Sequence, residues 1–262
     1  MTPPLLIVTA WIGLSVVFGL FFIVARRINN YGVVDIVWSY AFAALGIYYA
    51  MFGSGWSVRR AMIASMVTLW SVRLGTHLYR RVLGHHPVED GRYAQLRKEW
   101  AANFIPKMAG FFQMQAASVV LLGVAFFIIC LNRDPRLHPL EIGGAVLWLL
   151  ALVGEAVADA QLAAFKRNQD NQGRVCDVGL WHFSRHPNYF FEWLVWVSYF
   201  VFALASPWGW LAAIGPVSIL YLLLRVTGIP LTEEQSLRSK GEAYRHYQKT
   251  TSAFVPWFPK KT

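Results

Sequence analysis

The sequence predicts an all-α, polytopic integral membrane protein with about seven transmembrane helices. Hydrophobic residues make up 56% of the 262 and charged residues only 15%, where a soluble domain carries roughly a quarter charged. Mean hydropathy is +0.40, and apolar runs recur along the chain at close to the ~20 residues a bilayer crossing needs. Lysine and arginine, moreover, collect on one side of those runs. The abundant Trp and Tyr suit interfacial belts, and the glycines suit close helix packing. The net charge of +10 follows the topology and calls for no nucleic-acid partner. Cys130 and Cys176 share no motif spacing, so neither a disulfide framework nor a metal site is expected.

The first run, Pro3 to Ala25, ends in Arg26-Arg27, the reverse of the charge order of a signal peptide, and predicts a retained span. The second runs from about Tyr31 to Gly53 and the third from Val58 to Tyr79. A polar segment, 80–107, follows and contains HHPVEDGRY. The fourth run is Met108 to Leu131, and the fifth, Leu140 to Phe165, starts after NRDPRLHP. A polar loop, 166–187, leads into a sixth run ending near Ala205. The seventh goes from Trp208 to Ile229. The tail after it reads as an amphipathic helix closed by an aromatic anchor, with Glu233 and Glu234 at its start.

With the N-terminus outside, eighteen Lys and Arg fall in the cytosolic segments and only four, Arg59, Arg60, Arg133 and Arg136, opposite them. That asymmetry fixes the expected orientation: N-terminus out, C-terminus in the cytosol. It also gathers the polar residues within the runs toward the cytosolic ends: Asp35, Arg73, His77, Glu155, Asp159, Asn188, Glu192 and Arg225. Charge inside a bilayer is costly, at least ~2.5 kcal/mol per group at the centre, and such residues face a cavity or one another. The expectation is one polar chamber open to the cytosol. Snorkelling near helix ends explains any one of these residues alone.

Three constellations carry chemistry. In GLWHFSRHPNYFFEW, residues 179–193, the aromatic and basic residues Trp181, His182, Arg185 and His186 precede a proline able to start a helix. With Arg174 beside it, that helix start is a docking place for phosphate or carboxylate, or else a basic loop that sets topology. Glu155 and Asp159 are four apart and share a helix face that Lys166 roughly continues. They accept hydrogen bonds from a ligand or pair with Arg174 and Arg185. Asp35, one turn before Trp38, is either a neutral acid able to donate to a developing oxyanion or the partner of Arg73. His85, His86, Glu89 and Asp90 are metal-capable types in a turn-like context without ligand spacing, and read as a solvated loop.

The stretches EAVADAQLAAFK, GLWHFSRHPNYFFEW and TEEQ…GEAYRHYQKTTSAFVPWFP resemble the C-terminal half of the steroid 5-alpha-reductase family. VVDIVWSY and SVRLGTHLYRRVLGHHPVEDGRY resemble its bacterial members. The resemblance implies a single seven-helix domain over 1–262. Helices of 1–107 would lie on the substrate side, and those of 108–262 would bind NADPH. The implied reaction reduces a carbon–carbon double bond conjugated to a ketone in a hydrophobic, steroid-like substrate, an acid network polarising the carbonyl. By similarity Asp159, Arg174 and Asn188 look like cofactor contacts, with Lys166, Arg185, Tyr189 and Glu192 their neighbours. Trp181, His186 and Arg225 join the cofactor set by position. Asp35, Trp38, Arg73 and His77 form the catalytic set, since SVRLGTHLY offers no tyrosine matching the one the family uses beside its acid. RHPNY also resembles the loop of membrane methyltransferases that use S-adenosylmethionine, the alternative reading. A transporter reading lacks an inverted repeat. The expected partners are the bilayer and a hydrophobic small molecule, and the expected location is a bacterial inner membrane.

Overall fold

The computed structural model describes residues 1–84 and 86–260, so His85, one of the metal-capable types above, lies outside the described residues. Eleven α-helices form, with no strand among the described residues: α1 (Pro3–Arg27), α2 (Val33–Phe52), α3 (Ser57–Gly84), α4 (Gly91–Trp100), α5 (Phe104–Leu122), α6 (Val124–Leu131), α7 (Pro139–Arg167), α8 (Leu180–Phe183), α9 (Pro187–Ala203), α10 (Ile214–Tyr221) and α11 (Ile229–Thr250). The protein is an all-α, polytopic membrane protein. Among the described residues, five helical stretches are long and apolar enough to cross a bilayer: Pro3–Arg27, Val33–Phe52, Gly91–Leu131, Pro139–Arg167 and Gly209–Thr250. The sequence expects seven. The two outside this set are α3, diluted by Arg59, Arg60 and Arg73, and α9, whose 17 residues span about 25 Å, short of a ~30 Å hydrocarbon core.

The chain divides into two compact units. One comprises Met1–Leu137 with Ser206–Leu211; the other comprises His138–Ala205 and the chain from Ala212 onward. In the first, Phe18, Phe42, Trp70, Phe112 and Phe126 are fully buried and fill the centre. α2 packs on α3 through small residues: a Cβ on Gly46 would lie 3.1 Å from Val67, and one on Gly75 2.8 Å from the Tyr40 ring. The fourth run breaks at Gly123, where a Cβ would meet Leu45 at 2.4 Å, so one apolar run becomes α5 and α6. Most large apolar side chains of α1 are exposed, as a lipid-facing helix requires.

Arg59 and Arg60, counted above only as topology charges, are structural. Arg59 is 1% exposed. Its guanidinium donates to the carbonyls of Asn132 at 3.1 Å and of Asp134 and Arg136, each at 2.7 Å, tying the start of α3 to the chain after α6. Arg60 does the same for the end of α2, donating to Gly55 O at 2.9 Å and to Ala50 O.

In the second unit α7 begins with a reciprocal cap. His138 Nδ1 accepts from Leu140 N at 3.2 Å, and Glu141 accepts from His138 N at 2.8 Å. α7 and α9 approach closely because Gly144 sits at their crossing, where a Cβ would lie 2.9 Å from Phe202 N and Ser198 O. Trp148 Nε1 donates to Tyr199 Oη at 3.1 Å across the same seam, and Trp193 Nε1 reaches Pro216 O at 3.1 Å to hold α10. After α10 the chain widens into a π-helical turn, Leu222–Val226, that carries Arg225 and leads into α11.

Candidate functional site

Two polar clusters form, one in each unit. The first is built on Asp35, in the opening turn of α2, where a carboxylate also favours the helix dipole. Its two hydrogen-bond partners come from α4, and a more distant cation comes from the end of α3. Arg92 Nη2 lies 2.6 Å from Asp35 Oδ2, Tyr93 Oη donates to Oδ1 at 2.7 Å, and Arg81 approaches at 3.7 Å. The sequence offers Arg73 as the ion-pair partner; the structure gives Arg92 and Arg81 that place, and with both oxygens accepting, the neutral-donor alternative does not match the geometry. Arg73 is half-buried and His77 exposed, one turn apart on α3. Trp38 donates through Nε1 to Ser118 Oγ of α5 at 3.0 Å, which makes it a strut between helices.

Residues 89–93 are docked instead of forming the solvated loop expected, while His86, Pro87 and Val88 are exposed. Asp90 caps α4, accepting from Arg92 N at 3.0 Å, and also binds the Arg92 side chain. Burial would raise the Asp90 pKa, but the charge and hydrogen bonds of Arg92, with Arg81 beside them, hold it below the usual range. Glu89 accepts from Tyr31 N at 2.8 Å and pairs with Arg97 at 3.1 Å, while Arg97 lies over the Tyr31 and Phe104 rings. Tyr93 is 2% exposed. Burial, and next the Asp35 charge, hold its hydroxyl well above the ordinary range, so the phenol keeps its proton.

The second cluster lies on the α7–α9 seam. Asn188 Nδ2 donates to Asp159 Oδ1 at 3.2 Å, joining two residues that the sequence places 29 apart. Glu155 is buried one turn before Asp159 on α7, and Glu192 Oε1 accepts from Trp196 Nε1 at 3.0 Å. Lys166 is exposed at the end of α7, and Arg225 is exposed in the π-turn. An amide and three carboxylates form an acceptor set for the hydroxyl and amide donors of a ligand.

The basic turn before α9 is differently employed. Glu233 of α11 sits in front of it, accepting from Arg185 Nε at 2.7 Å, Gln248 Nε2 at 2.7 Å and His186 Nε2 at 3.2 Å. Arg185 Nη1 also donates to the carbonyls of Gln248 and Thr251, at 3.0 and 2.5 Å. Tyr189 stacks on His186 and hydrogen-bonds Thr232 at 3.1 Å. Burial raises the Glu233 pKa, and the hydrogen bonds from His186, Arg185 and Gln248 outweigh it, bringing it down to about 2. Burial lowers that of His186 more than Glu233 raises it. The anion that this turn invites is therefore the protein's own carboxylate, so Arg185 and His186 act as a clamp on α11 instead of as ligand contacts. Trp181, expected to face a ligand, is buried and donates to Ala158 O at 2.9 Å, bolting α8 to α7. Arg174 lines a separate cavity of about 800 Å³ with His182, His246 and Lys260, away from the Asp159–Asn188 pair.

Sequence reasoning missed Arg92 and Tyr93. The available signal was the DGRY turn itself: a cap residue followed by a cation and a phenol.

Fold and clusters define a polytopic helical membrane protein with two acid-centred polar sites. The chain belongs to the family described as "Protein of unknown function (DUF1295)", whose model matches residues 21–251. It is similar to the uncharacterized protein C594.04c of Schizosaccharomyces pombe, 29% identical over 257 residues that cover 87% of this chain and 73% of the relative. No solved structure matches it.

Proposed function

We propose that the protein is an NADPH-dependent reductase of a carbon–carbon double bond conjugated to a ketone, acting on a hydrophobic, steroid-like substrate. The observation that carries this reading is the part-buried Asp35–Tyr93 hydrogen bond, 2.7 Å long. It supplies an acid–phenol pair of the kind that the reductase resemblance implies, the phenol coming from α4 where α3 has no match.

Asp35 orients the Tyr93 hydroxyl, and Arg92 occupies the other carboxylate oxygen, so the phenol is the donor of the set. On substrate binding the single O–H would turn from Asp35 Oδ1 to the ketone oxygen, polarising it and making the β carbon electrophilic, while Arg92 keeps its bond to Asp35. Asp159 and Asn188, with Glu155 and Glu192 as neighbours, would hold the nicotinamide cofactor through its hydroxyl and amide groups, and Lys166, exposed at the end of α7 seven residues beyond Asp159, would serve its phosphate. NADPH, when bound, would supply a hydride to the β carbon, and the α carbon would take its proton from solvent, giving the saturated ketone. Burial excludes water from Tyr93, as a hydride acceptor requires. In this reading α3 and α9 also cross the bilayer. That makes seven spans, with the N-terminus outside and the charge-rich side in the cytosol beneath a bacterial inner membrane.

The test is separate titration of the detergent-purified protein with NADPH and S-adenosylmethionine, followed by addition of a 4-ene-3-ketosteroid. NADPH binding and its oxidation on steroid addition are expected. Binding of the methyl donor without NADPH would replace the reading by the methyltransferase one. Tyr93→Phe is expected to slow turnover on the order of a hundredfold and leave NADPH affinity within about twofold; equal turnover would remove Tyr93 from the reaction.

A further inference from the structure

We infer that the cavity between α8, the end of α11 and the C-terminal tail binds the headgroup of an anionic phospholipid. This inference is independent of the reductase reading.

The tail is fixed, not loose. Trp257 N donates to Phe183 O and Lys260 N to Thr250 O, both at 2.9 Å, and the Phe258 ring meets Phe183 edge-on at 5.9 Å. Held this way, Trp257 and Phe258 remain 71% and 77% exposed. Two large aromatic side chains fixed to a scaffold and facing outward, on a membrane protein, belong at the interface between acyl chains and headgroups. Lys260 follows Phe258 by two residues, about 7 Å of chain, and lines the cavity. Its mouth therefore lies at the depth of the lipid phosphates.

The lining fits that chemistry. Arg174, His182, His246 and Lys260 bring four basic side chains from four separate segments around about 800 Å³, opposed by the single carboxylate of Asp177 among the described lining residues. All four are exposed, so none is consumed in a buried network like that of Arg185. Thr250 and Thr251 add hydroxyls to the wall. A volume of this size suits a small polar headgroup, and its positive rim selects a net negative lipid over a zwitterionic one. A free anion would gain the same charge contacts but not those of the neighbouring aromatic pair, which favours a ligand carrying acyl chains.

The test uses the full-length protein in nanodiscs of phosphatidylcholine containing a minority of phosphatidylglycerol, with lipids retained after detergent extraction counted by native mass spectrometry. Wild type is expected to retain phosphatidylglycerol preferentially. The double variant Arg174→Glu/Lys260→Glu should lose the preference by well over tenfold, at about fivefold or more per cation, while Arg174→Lys/Lys260→Arg keeps it. Trp257→Ala/Phe258→Ala, with the cations intact, should weaken retention severalfold. Three results would overturn the inference: equal retention of the two lipids by wild type, an unchanged preference in the charge-reversed variant, or displacement of the lipid by inorganic phosphate or NADPH at millimolar concentration. The last would assign the cations to a soluble anion.

Discussion

Replacing Glu233 by glutamine removes one negative charge from the knot that joins α11 to the start of α9 and changes almost nothing else in shape. The side chain is 14% exposed and accepts three hydrogen bonds. Its carboxyl falls from an ordinary 4.5 to about 2. At about 1.4 kcal/mol per tenfold change in proton affinity, that corresponds to about 3 kcal/mol, and solvent screening at a partly open site reduces it to about 2. Glutamine keeps one acceptor but leaves the Arg185 guanidinium without a counter-charge. Amides of residues 229–252 are therefore expected to exchange with solvent deuterium about thirtyfold faster at pH 7, with α7 protected as before. The measurement is hydrogen–deuterium exchange read by mass spectrometry on the protein in detergent micelles. Protection of 229–252 within threefold of wild type would refute the argument and return Arg185 to the pool of residues available to a ligand.

Acid should imitate that substitution. The Glu233 contribution is complete above about 4.5 and is lost as pH falls toward about 2. His186, with its pKa lowered by burial, stabilises the fold above its ordinary 6.5 and loses that contribution as pH falls. Both act in one direction, so exchange in the tail should quicken, after correction for its intrinsic pH dependence, from pH 6.5 downward and stay flat from 7 to 8. Arg59→Met should leave three carbonyls unsatisfied and cost about 3 kcal/mol, seen as a fall of several degrees in the thermal unfolding midpoint; an unchanged midpoint would contradict the role given to Arg59. Gly144→Leu should force α7 and α9 apart and prevent purification of a monodisperse protein, whereas Gly13→Ala, with no heavy atom within 4 Å of its Cβ, should be neutral or stabilise by about 1 kcal/mol. Size-exclusion profiles of the pair decide the point, and matching profiles would remove Gly144 from the packing argument.

Apolar runs are local properties, and α1, α2 and α7 lie where hydropathy places them, to within a few residues. The break at Gly123 is not local: it depends on Leu45 reaching across from α2. The same distinction governs the polar residues. The resemblance names Asp159 and Asn188 together, and a hydrogen bond joins them in the fold. For Asp35 the sequence offers Arg73 as partner, whereas Arg92 and Tyr93, 57 and 58 residues on, hold its carboxylate. Arg185 and His186 looked like an invitation to a ligand because the carboxylate that answers them stands 48 and 47 residues downstream. Sequence showed which groups demand partners; only the fold showed that some demands are met within the chain.

The guanidinium of Arg59 bears on how the chain assembles during synthesis. Its acceptors emerge 73, 75 and 77 residues after it. Until Asn132, Asp134 and Arg136 have been made, nothing on the earlier chain offers that trio of carbonyls, and an unsatisfied cation resists leaving water. The α2–α3 pair must therefore wait with its Arg59 end at the aqueous boundary. It settles to final depth only when α6 and the turn beyond it arrive, so this half of the molecule closes late and as a unit.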